Sequence, residues 1–294
     1  MVVADLHTDS VYRIKRGDDL LGMTSGPVDL IKLKKGGVKV VVFACWVKPA
    51  DPDPFGSALE MIEAIWETVE RSRGRMRVVE RFADLDLEKI NLIIGVEGGH
   101  IFEKRIERIN LLYRLGVRVF TITWNNSNSL AHSAYDNDNK GLSRKGRRFL
   151  LRIEELGGVV DVSHASTKTV IDISRLLEIP IIASHSCLRA LNPDLRNLSD
   201  PAIDAIAERD GVVGINLSRR HLGPHPFRDH VDYLKDEFSP RLLALGSDFD
   251  GIKDPIIPDS AHIPELLKGL GLNKKVLGQL AIRNFLRVLK RCVS

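Results

Sequence analysis

Thiols are scarce in this 294-residue sequence, which contains only three cysteines. Cys45, Cys187 and Cys292 lie far apart and form no CxxC pair. A disulfide framework is therefore not predicted, and a reducing compartment is expected. The sequence also lacks an apolar run approaching the roughly 18 residues of a membrane-spanning helix, and its start lacks the basic and long apolar segments of a signal peptide. These absences predict a cytoplasmic protein without membrane association.

An excess of charge of one sign is also missing, because 43 Lys and Arg residues oppose 39 Asp and Glu residues. Basic residues do not cluster with aromatic ones, so nucleic acid is not an expected partner. The fractions of hydrophobic residues (44%) and charged residues (28%) are typical of a globular protein. No repeat, low-complexity tract or Pro/Gly/Ser linker divides the chain, and residues 1–294 are predicted to form a single domain.

Short apolar runs rich in β-branched residues are abundant and alternate with segments of helical periodicity. Eight such runs are found, at residues 2–4, 38–44, 91–96, 117–122, 158–162, 180–184, 211–216 and 242–247. They are continuously apolar, which indicates parallel strands covered on both faces. A doubly wound open sheet is the alternative, but no GxGxxG follows the first run. The count favours an α/β fold of the (β/α)8 TIM-barrel type, whose active sites form at the C-terminal ends of the strands.

Helix boundaries are indicated at several positions between these runs. Gly116 and Gly157 stand where helices are expected to end. Ser199 or Asp200, placed before Pro201, predicts a helix start. The long segment between the second and third runs is predicted to hold two helices.

Polar side chains that can bind metal or transfer protons follow seven of the eight runs. They are Asp5, His7 and Asp9; Glu97; Trp124 and Asn125; His164; His185; Asn216; and Asp248 with Asp250. Each has an ordinary explanation when taken alone, such as a capped loop or a buried histidine bonded to a carbonyl. Polar residues at equivalent positions after seven runs predict a ring of polar groups around one barrel mouth. In an extended DLHTDS segment, the first three of these side chains would share one side and converge.

The types of these residues favour a particular ion. Imidazoles and carboxylates without a thiolate cluster suit zinc, manganese or iron. Three His, one Asp and one Glu are too many for one tetrahedral zinc with an open position, but they suit two ions about 3.5–4 Å apart. Glu97 is the candidate bridge. By contrast, His221, His225 and His230 lie in the loop HLGPHPFRDH and are expected to be surface or lid residues, whereas His262 indicates a helix start.

Ordered motifs along the chain resemble those of the renal, or membrane, dipeptidase family of zinc peptidases. They are DLHTD, GGVKVVVFACWV, GVEGG, VDVSHAS, ASHS, LRNLSD, GVVGIN, GSDFDG and NFLRV. The resemblance extends over nearly the whole chain and implies a metal-dependent (β/α)8 barrel that hydrolyses dipeptides, expected as a homodimer. It implies two divalent ions, with zinc expected, and a bridging hydroxide. The implied ligands are His7, Asp9, Glu97, His164 and His185, with Glu97 as the bridge.

The resemblance also implies roles for residues that act on the substrate. Asp248 would be the catalytic proton shuttle beside Glu97, and Arg196 of LRNLSD would bind the substrate's C-terminal carboxylate through its bidentate fork. Trp124 and Asn125 are expected to contact the substrate. Trp124 departs from the family pattern, because animal members have an oxyanion-stabilising histidine there and an indole offers a single N–H donor.

Further departures and alternatives remain open at this point. His132, eight residues after Trp124, is a candidate replacement donor, and Ile282-Arg283 stand where the family has glycine before NFLRV. A second enzyme hypothesis is another two-metal barrel hydrolase that acts on a cyclic amide, lactone or phosphoester. A non-catalytic metal-binding barrel is the third hypothesis, although Asp248 argues against it, because a pure binder needs no acid beside its metals.

Overall fold

Nine strands form one sheet in the computed structural model, which describes residues 1–293. Their bounds are β1 (Val3–Thr8), β2 (Val38–Trp46), β3 (Met76–Val78), β4 (Ile90–Glu97), β5 (Val117–Thr121), β6 (Val159–Asp161), β7 (Ile181–Ser186), β8 (Val212–Ile215) and β9 (Leu243–Leu245). All pairings between them are parallel. Eight of these strands follow one another in the order β1-β2-β4-β5-β6-β7-β8-β9, and each of the eight predicted runs overlaps one of them.

The sheet closes into a barrel between β9 and β1. Just beyond β9, Phe249 pairs with Thr8 in parallel. The amide of Asp9 donates to the carbonyl of Phe249 (2.9 Å), and the amide of Asp248 donates to the carbonyl of His7 (3.0 Å). The prediction of an eight-stranded TIM-type barrel is therefore confirmed.

Twelve α-helices occur among the described residues. They are α1 (Val11–Lys15), α2 (Leu30–Lys35), α3 (Pro54–Arg71), α4 (Glu107–Arg114), α5 (Arg144–Leu156), α6 (Thr167–Leu176), α7 (Asp200–Glu208), α8 (Arg219–Leu222), α9 (Phe227–Tyr233), α10 (Ile263–Gly269), α11 (Lys274–Gly278) and α12 (Asn284–Cys292). As predicted, α5 ends at Gly157, which has a left-handed φ of +83°, and α7 follows Ser199 with a proline in its first turn. Within residues 1–293, no helix combines the length and apolar character needed to cross a bilayer.

The segment between β2 and β4 differs from its prediction. It contains one long helix, α3, then the short strand β3 and a single 3-10 turn (Phe82–Asp84) in place of a second α-helix. Met76 and Val78 of β3 are buried and pair with Ile90 and Leu92 of β4. Three residues with alternating burial give too short a signal to be recognised as a strand.

Alternate residues of the strands fill the inside of the barrel. One buried apolar cluster combines strand residues such as Leu6, Val42 and Ile182 with Phe285 and Val288 of α12. Their neighbours along the strands belong to a larger cluster that contains the apolar faces of the surrounding helices. Because α12 packs against the apolar residues inside the barrel, it covers the end opposite the mouth and leaves the C-terminal strand ends open for a site.

Candidate metal centre

Three overlapping groups of potential metal ligands meet at the C-terminal ends of the strands. They are His7–Asp9–Glu97, Glu97–His164–His185 and His7–His185–Asp248, and within each group the ligand atoms all lie within 4.8 Å of one another. The rings of His7 and His185 have centroids 3.7 Å apart, although 177 residues separate them in the chain. The barrel therefore brings together the five residues that the family resemblance implied as metal ligands: His7, Asp9, Glu97, His164 and His185.

Glu97, the last residue of β4, lies at the centre of this cluster. Its Oε1 is 3.0 Å from Nε2 of His164 and 3.5 Å from Nε2 of His185, and its Oε2 is 3.6 Å from Nε2 of His7. Burial alone would raise the pKa of Glu97, but the charge of His7 and hydrogen bonds from His164 and His185 hold it well below its usual value. One oxygen of this carboxylate thus faces two imidazoles and the other oxygen faces the third, a geometry that suits a bridging ligand.

The three imidazoles differ in their affinity for a proton. Burial lowers the pKa of His164 to about 4, assisted by the charge of Arg196, and it also depresses the pKa of His185. Burial opposes the protonation of His7 as well, but the neighbouring Glu97 and Asp9 hold its pKa well above the ordinary value. His164 and His185 are therefore neutral near pH 7, the state in which an imidazole binds a metal ion.

Asp248 lies beyond β9 in a left-handed backbone conformation with a φ of +59°. His164 (φ +67°) and Asp250 (φ +69°) share this unusual conformation. For non-glycine residues it is sparsely populated, and such strained residues are concentrated at functional sites. Burial together with Asp9 and Glu97 raises the pKa of Asp248 to about 8, and the amide of Asn216 donates to its Oδ2 (2.8 Å). A carboxyl group with this pKa can exchange a proton near neutral pH.

The DFDG sequence at residues 248–251 is more than a turn, because its glycine lies beside two carboxylates of the site. Gly251 lies against the carboxylates of Asp9 and Asp248, and a Cβ atom at this position would collide with both of them. Asp250 also lines the cavity over the cluster, but its Oδ2 accepts a hydrogen bond of 2.7 Å from Ser10 Oγ. Glycine is therefore needed at position 251 to let the two carboxylates approach the cluster.

A cavity of about 670 Å³ opens directly over the cluster. Asn125, Trp124 and Arg196 line it together with the metal-site residues. Arg196 is 4% exposed, and its two terminal nitrogens donate to Ser186 Oγ (2.9 Å) and to the carbonyl of His185 (2.7 Å). A buried guanidinium is thus fixed in place beside the carboxylate cluster, while its Nε finds no hydrogen-bond partner among the described residues.

Trp124 and Asn125 occupy different positions in the cavity wall. Trp124 packs against Trp46, with ring centroids 5.1 Å apart, and its ring centroid is 6.3 Å from that of His164. Asn125 Oδ1 lies 2.8 Å from Nδ1 of His164. Asn125 therefore also orients the imidazole of His164. Nδ1 of His132 lies 3.3 Å from Ser127 Oγ, and His132 is not among the residues that line the cavity within the described chain.

Some expectations from the sequence were wrong. Asp5 does not join His7 and Asp9, because the strand register is irregular between Asp5 and Thr8, and Asp5 Oδ1 instead accepts the amide of Ser247 (2.8 Å). His230 is not a surface residue. It is fully buried in α9, and its ring nitrogens bond the amide of Leu188 and the carbonyl of Leu222.

The wall of the cavity contains residues that the sequence interpretation missed. Trp46 is the last residue of β2, the one run without a predicted polar residue after it, and it pairs in register with Glu97. Its position at a strand end was a usable signal. The remaining unanticipated wall residues come from loops or helices without a recognisable pattern: Tyr12, Tyr135, Ser218, Arg220, Ile252, Lys253 and Asp254. His221, which was expected at the surface or in a lid, also lines the cavity. His262, in contrast, lies directly before α10, as predicted.

Comparison with known proteins gives one consistent result. The sequence profile described as "Membrane dipeptidase (Peptidase family M19)" matches residues 1–293. An uncharacterised protein of Klebsiella pneumoniae is 30% identical over 262 residues, which cover 81% of this chain and 97% of that protein. The crystal structure of a metallopeptidase described as a dipeptidase of the same family superposes with a TM-score of 0.90 at 26% identity, over 100% of this chain and 99% of that one.

A second crystal structure gives similar agreement. A metallopeptidase of Rhodobacter sphaeroides, bound to a phosphinate mimic of the dipeptide L-Ala-D-Ala, has a TM-score of 0.90 at 25% identity. The alignment covers 99% of both chains. The likeness therefore extends over the barrel and the loops of its mouth.

Proposed function

This chain belongs to the membrane dipeptidase family and is a metal-dependent peptide-bond hydrolase; on that premise we propose that it cleaves dipeptides at a centre of two divalent ions, with zinc as the expected metal. The observation that carries the proposal is the convergence of three buried imidazole nitrogens on the two oxygens of Glu97. Burial of several ionisable groups in one place costs free energy, which bound metal ions would offset.

The donor set fits this pair of ions. His7 and Asp9 would hold the first ion, His164 and His185 the second, and Glu97 would bind both. Nε2 of His7 and Oδ1 of Asp9 are buried without a hydrogen-bond partner among the described residues, which is expected of atoms whose partner is a cation. Nitrogen and oxygen ligands of this kind suit zinc, and manganese or iron are the other candidates.

Two divalent ions supply, when bound, Lewis acidity that polarises a carbonyl and lowers the pKa of a water molecule. Asp248 would accept the proton from the attacking water and return it to the amine nitrogen as the peptide bond breaks. The departing amine needs that proton, because an amide anion is too poor a leaving group. Asn216, through its bond to Oδ2, holds the carboxyl group of Asp248 in the cavity wall.

Arg196 would select substrates that end in a free carboxylate. Its guanidinium is held by Ser186 and the carbonyl of His185, so its position is set before a substrate enters. A charge-assisted bond to a carboxylate contributes about 1.5–3 kcal/mol. Trp124 would pack against a substrate side chain, and Asn125 would contact the substrate from its place beside His164.

The substrate class is supported by the size of the cavity and by a relative. A volume of about 670 Å³ lies within the usual range of small-molecule sites, about 300–1,000 Å³. The Rhodobacter sphaeroides metallopeptidase binds a mimic of L-Ala-D-Ala in its crystal. We therefore expect this chain to accept dipeptides with either an L or a D second residue.

Metal analysis paired with a substrate panel tests the proposal. The purified protein should contain two zinc-type ions per chain and should hydrolyse L-X-L-Y or L-X-D-Y dipeptides in preference to cyclic amides, lactones and phosphoesters. Glu97→Gln should remove both metal and turnover. A protein that holds no divalent ion, or that cleaves only the other ester and amide classes, would overturn it.

A further inference from the structure

Behind His185, a chain of hydrogen bonds leads to a buried carboxylate that has no role in the mechanism above. Asp161 is the last residue of β6 and is completely buried. Its Oδ1 accepts the amides of Ser163 (3.0 Å) and Ser184 (2.9 Å). Its Oδ2 accepts the hydroxyls of Thr121 (2.6 Å) and Ser184 (2.7 Å). The two amides and the two hydroxyls that bond to this carboxylate can all act as hydrogen-bond donors, which is the pattern expected around a carboxylate that only accepts hydrogen bonds.

The hydroxyl of Ser184 connects this carboxylate to His185. Ser184 Oγ lies 2.7 Å from Nδ1 of His185. A hydroxyl has a single proton, and here it is given to Asp161, so the oxygen of Ser184 must accept a hydrogen bond from His185. Its contacts with Ser163 Oγ (3.2 Å) and with Nδ1 of His7 (3.4 Å) are longer. The proton of neutral His185 is therefore placed on Nδ1.

The other ring nitrogen of His185 faces the proposed metal centre. Its Nε2 lies 3.5 Å from Glu97 Oε1 and 3.0 Å from Nε2 of His164. An imidazole protonated at Nδ1 has a bare lone pair at Nε2, which is the form that binds a metal ion. A carboxylate behind a ligand histidine fixes its tautomer and makes it a stronger donor.

We propose that Asp161 and Ser184 are positioning residues that hold His185 in its Nδ1–H tautomer and so direct Nε2 to the metal. The proposal rests on the proposed metal centre and adds to it two residues that never reach the cavity. Neither residue touches the substrate, since both are completely buried beneath the site.

Asp161→Asn is the most informative substitution, because it keeps the shape and reverses the two hydrogen bonds at Oδ2. The two backbone amides retain the side-chain oxygen at the Oδ1 position, so the new NH2 group replaces Oδ2 and donates to the hydroxyls of Ser184 and Thr121. The Ser184 hydroxyl then has to donate to Nδ1 of His185, which moves the ring proton to Nε2 and blocks the ligand atom. Ser184→Ala removes the link altogether. Thr121→Val is the matched control, since it deletes another hydroxyl bonded to the same carboxylate oxygen and leaves Ser184 and His185 in contact.

The tautomer can be measured directly in the metal-free protein. Ring ¹⁵N spectra of histidine distinguish Nδ1–H from Nε2–H, and the signal of His185 is identified by its absence from His185→Gln. The wild-type protein and Thr121→Val should show the Nδ1–H form, whereas Asp161→Asn should show the Nε2–H form. A wild-type His185 protonated at Nε2 would overturn the proposal even if no variant folded.

Zinc affinity gives the second measurement, by competition with a fluorescent chelator on variants whose folding is verified by circular dichroism. Loss of a residue that hydrogen-bonds to a metal-binding histidine lowers metal affinity by about 10–100-fold. This loss is expected for Ser184→Ala and Asp161→Asn, whereas the affinity of Thr121→Val should resemble that of the wild type. If the folded Ser184→Ala variant binds zinc as tightly as the wild type, the relay is refuted and the metal centre stands. If the wild-type protein binds no zinc, the metal centre itself is refuted.

Discussion

Replacement of Asp248 by asparagine tests the proton-transfer step with little disturbance of the fold. Asparagine is the suitable substitute because Asp248 has a φ of +59°, a conformation that Asn tolerates better than Ala. General acid–base catalysis contributes about 10²–10⁴-fold in rate. The upper half of that range is expected here, because Asp9 and Glu97 belong to the ligand groups and Asp250 is bonded to Ser10, so no neighbouring carboxylate can substitute. A loss of about 10³–10⁴ in kcat corresponds to about 4–5.5 kcal/mol.

The assay is steady-state hydrolysis of a dipeptide, with metal content measured on the same sample. Asp248→Asn should keep both ions and lose turnover, whereas Asp250→Asn, which removes the same charge two residues away, should cost less than about tenfold. Retention of more than a tenth of the wild-type kcat would refute the assignment of Asp248 as the proton carrier. Loss of metal together with activity would instead make Asp248 a ligand, as its place beside His7 and His185 allows.

Three further predictions address the substrate, the barrel and the buried histidine. Arg196→Lys should raise KM by about tenfold or more, because an ammonium lacks the planar fork by which a guanidinium held by Ser186 and the carbonyl of His185 can also bind a carboxylate; a dipeptide amide without the carboxylate should show no such difference. Phe285→Ala should lower the free energy of unfolding by about 3–5 kcal/mol in urea titrations and leave kcat unchanged, since this side chain lies at the end of the barrel opposite the mouth. Burial lowers the pKa of His230 in the folded protein. The contribution of neutral His230 to the free energy of unfolding is therefore complete above the pKa of histidine in the unfolded chain, about 6.5, and it decreases as the pH falls below that pKa. The destabilisation caused by His230→Gln should therefore be smaller at pH 5 than at pH 8, and equal values would contradict this.

The strands and their C-terminal ends could be predicted because the barrel requires long apolar runs at regular intervals. Each of the eight runs overlaps a barrel strand, and Glu97, His164 and His185 lie just after the ends of their runs. These residues were found from position alone, since residues at one end of parallel strands meet wherever the barrel closes. The ordered resemblance to a family added roles, such as that of Arg196, which position could not supply.

Other parts of the site depend on three-dimensional contacts that no local pattern encodes. The irregular register of β1 turns Asp5 away from His7 and Asp9, which a strict alternation of side chains could not foresee. His230 is buried because it lies with Phe227 and Val231 on the buried face of α9, although its sequence segment HLGPHPFRDH is mostly polar. Asp161 had a signal that was overlooked, namely a single carboxylate inside the apolar run GVVDV. Such a residue in a buried strand must be satisfied by partners, and here its partners lead to a metal ligand.

The most direct test of the central claim is an anomalous difference map at the zinc edge, from crystals grown with zinc. The account predicts two peaks about 3.5–4 Å apart, one beside His7 and Asp9 and the other beside His164 and His185, with Glu97 between them. A single peak, or peaks away from Glu97, would contradict it.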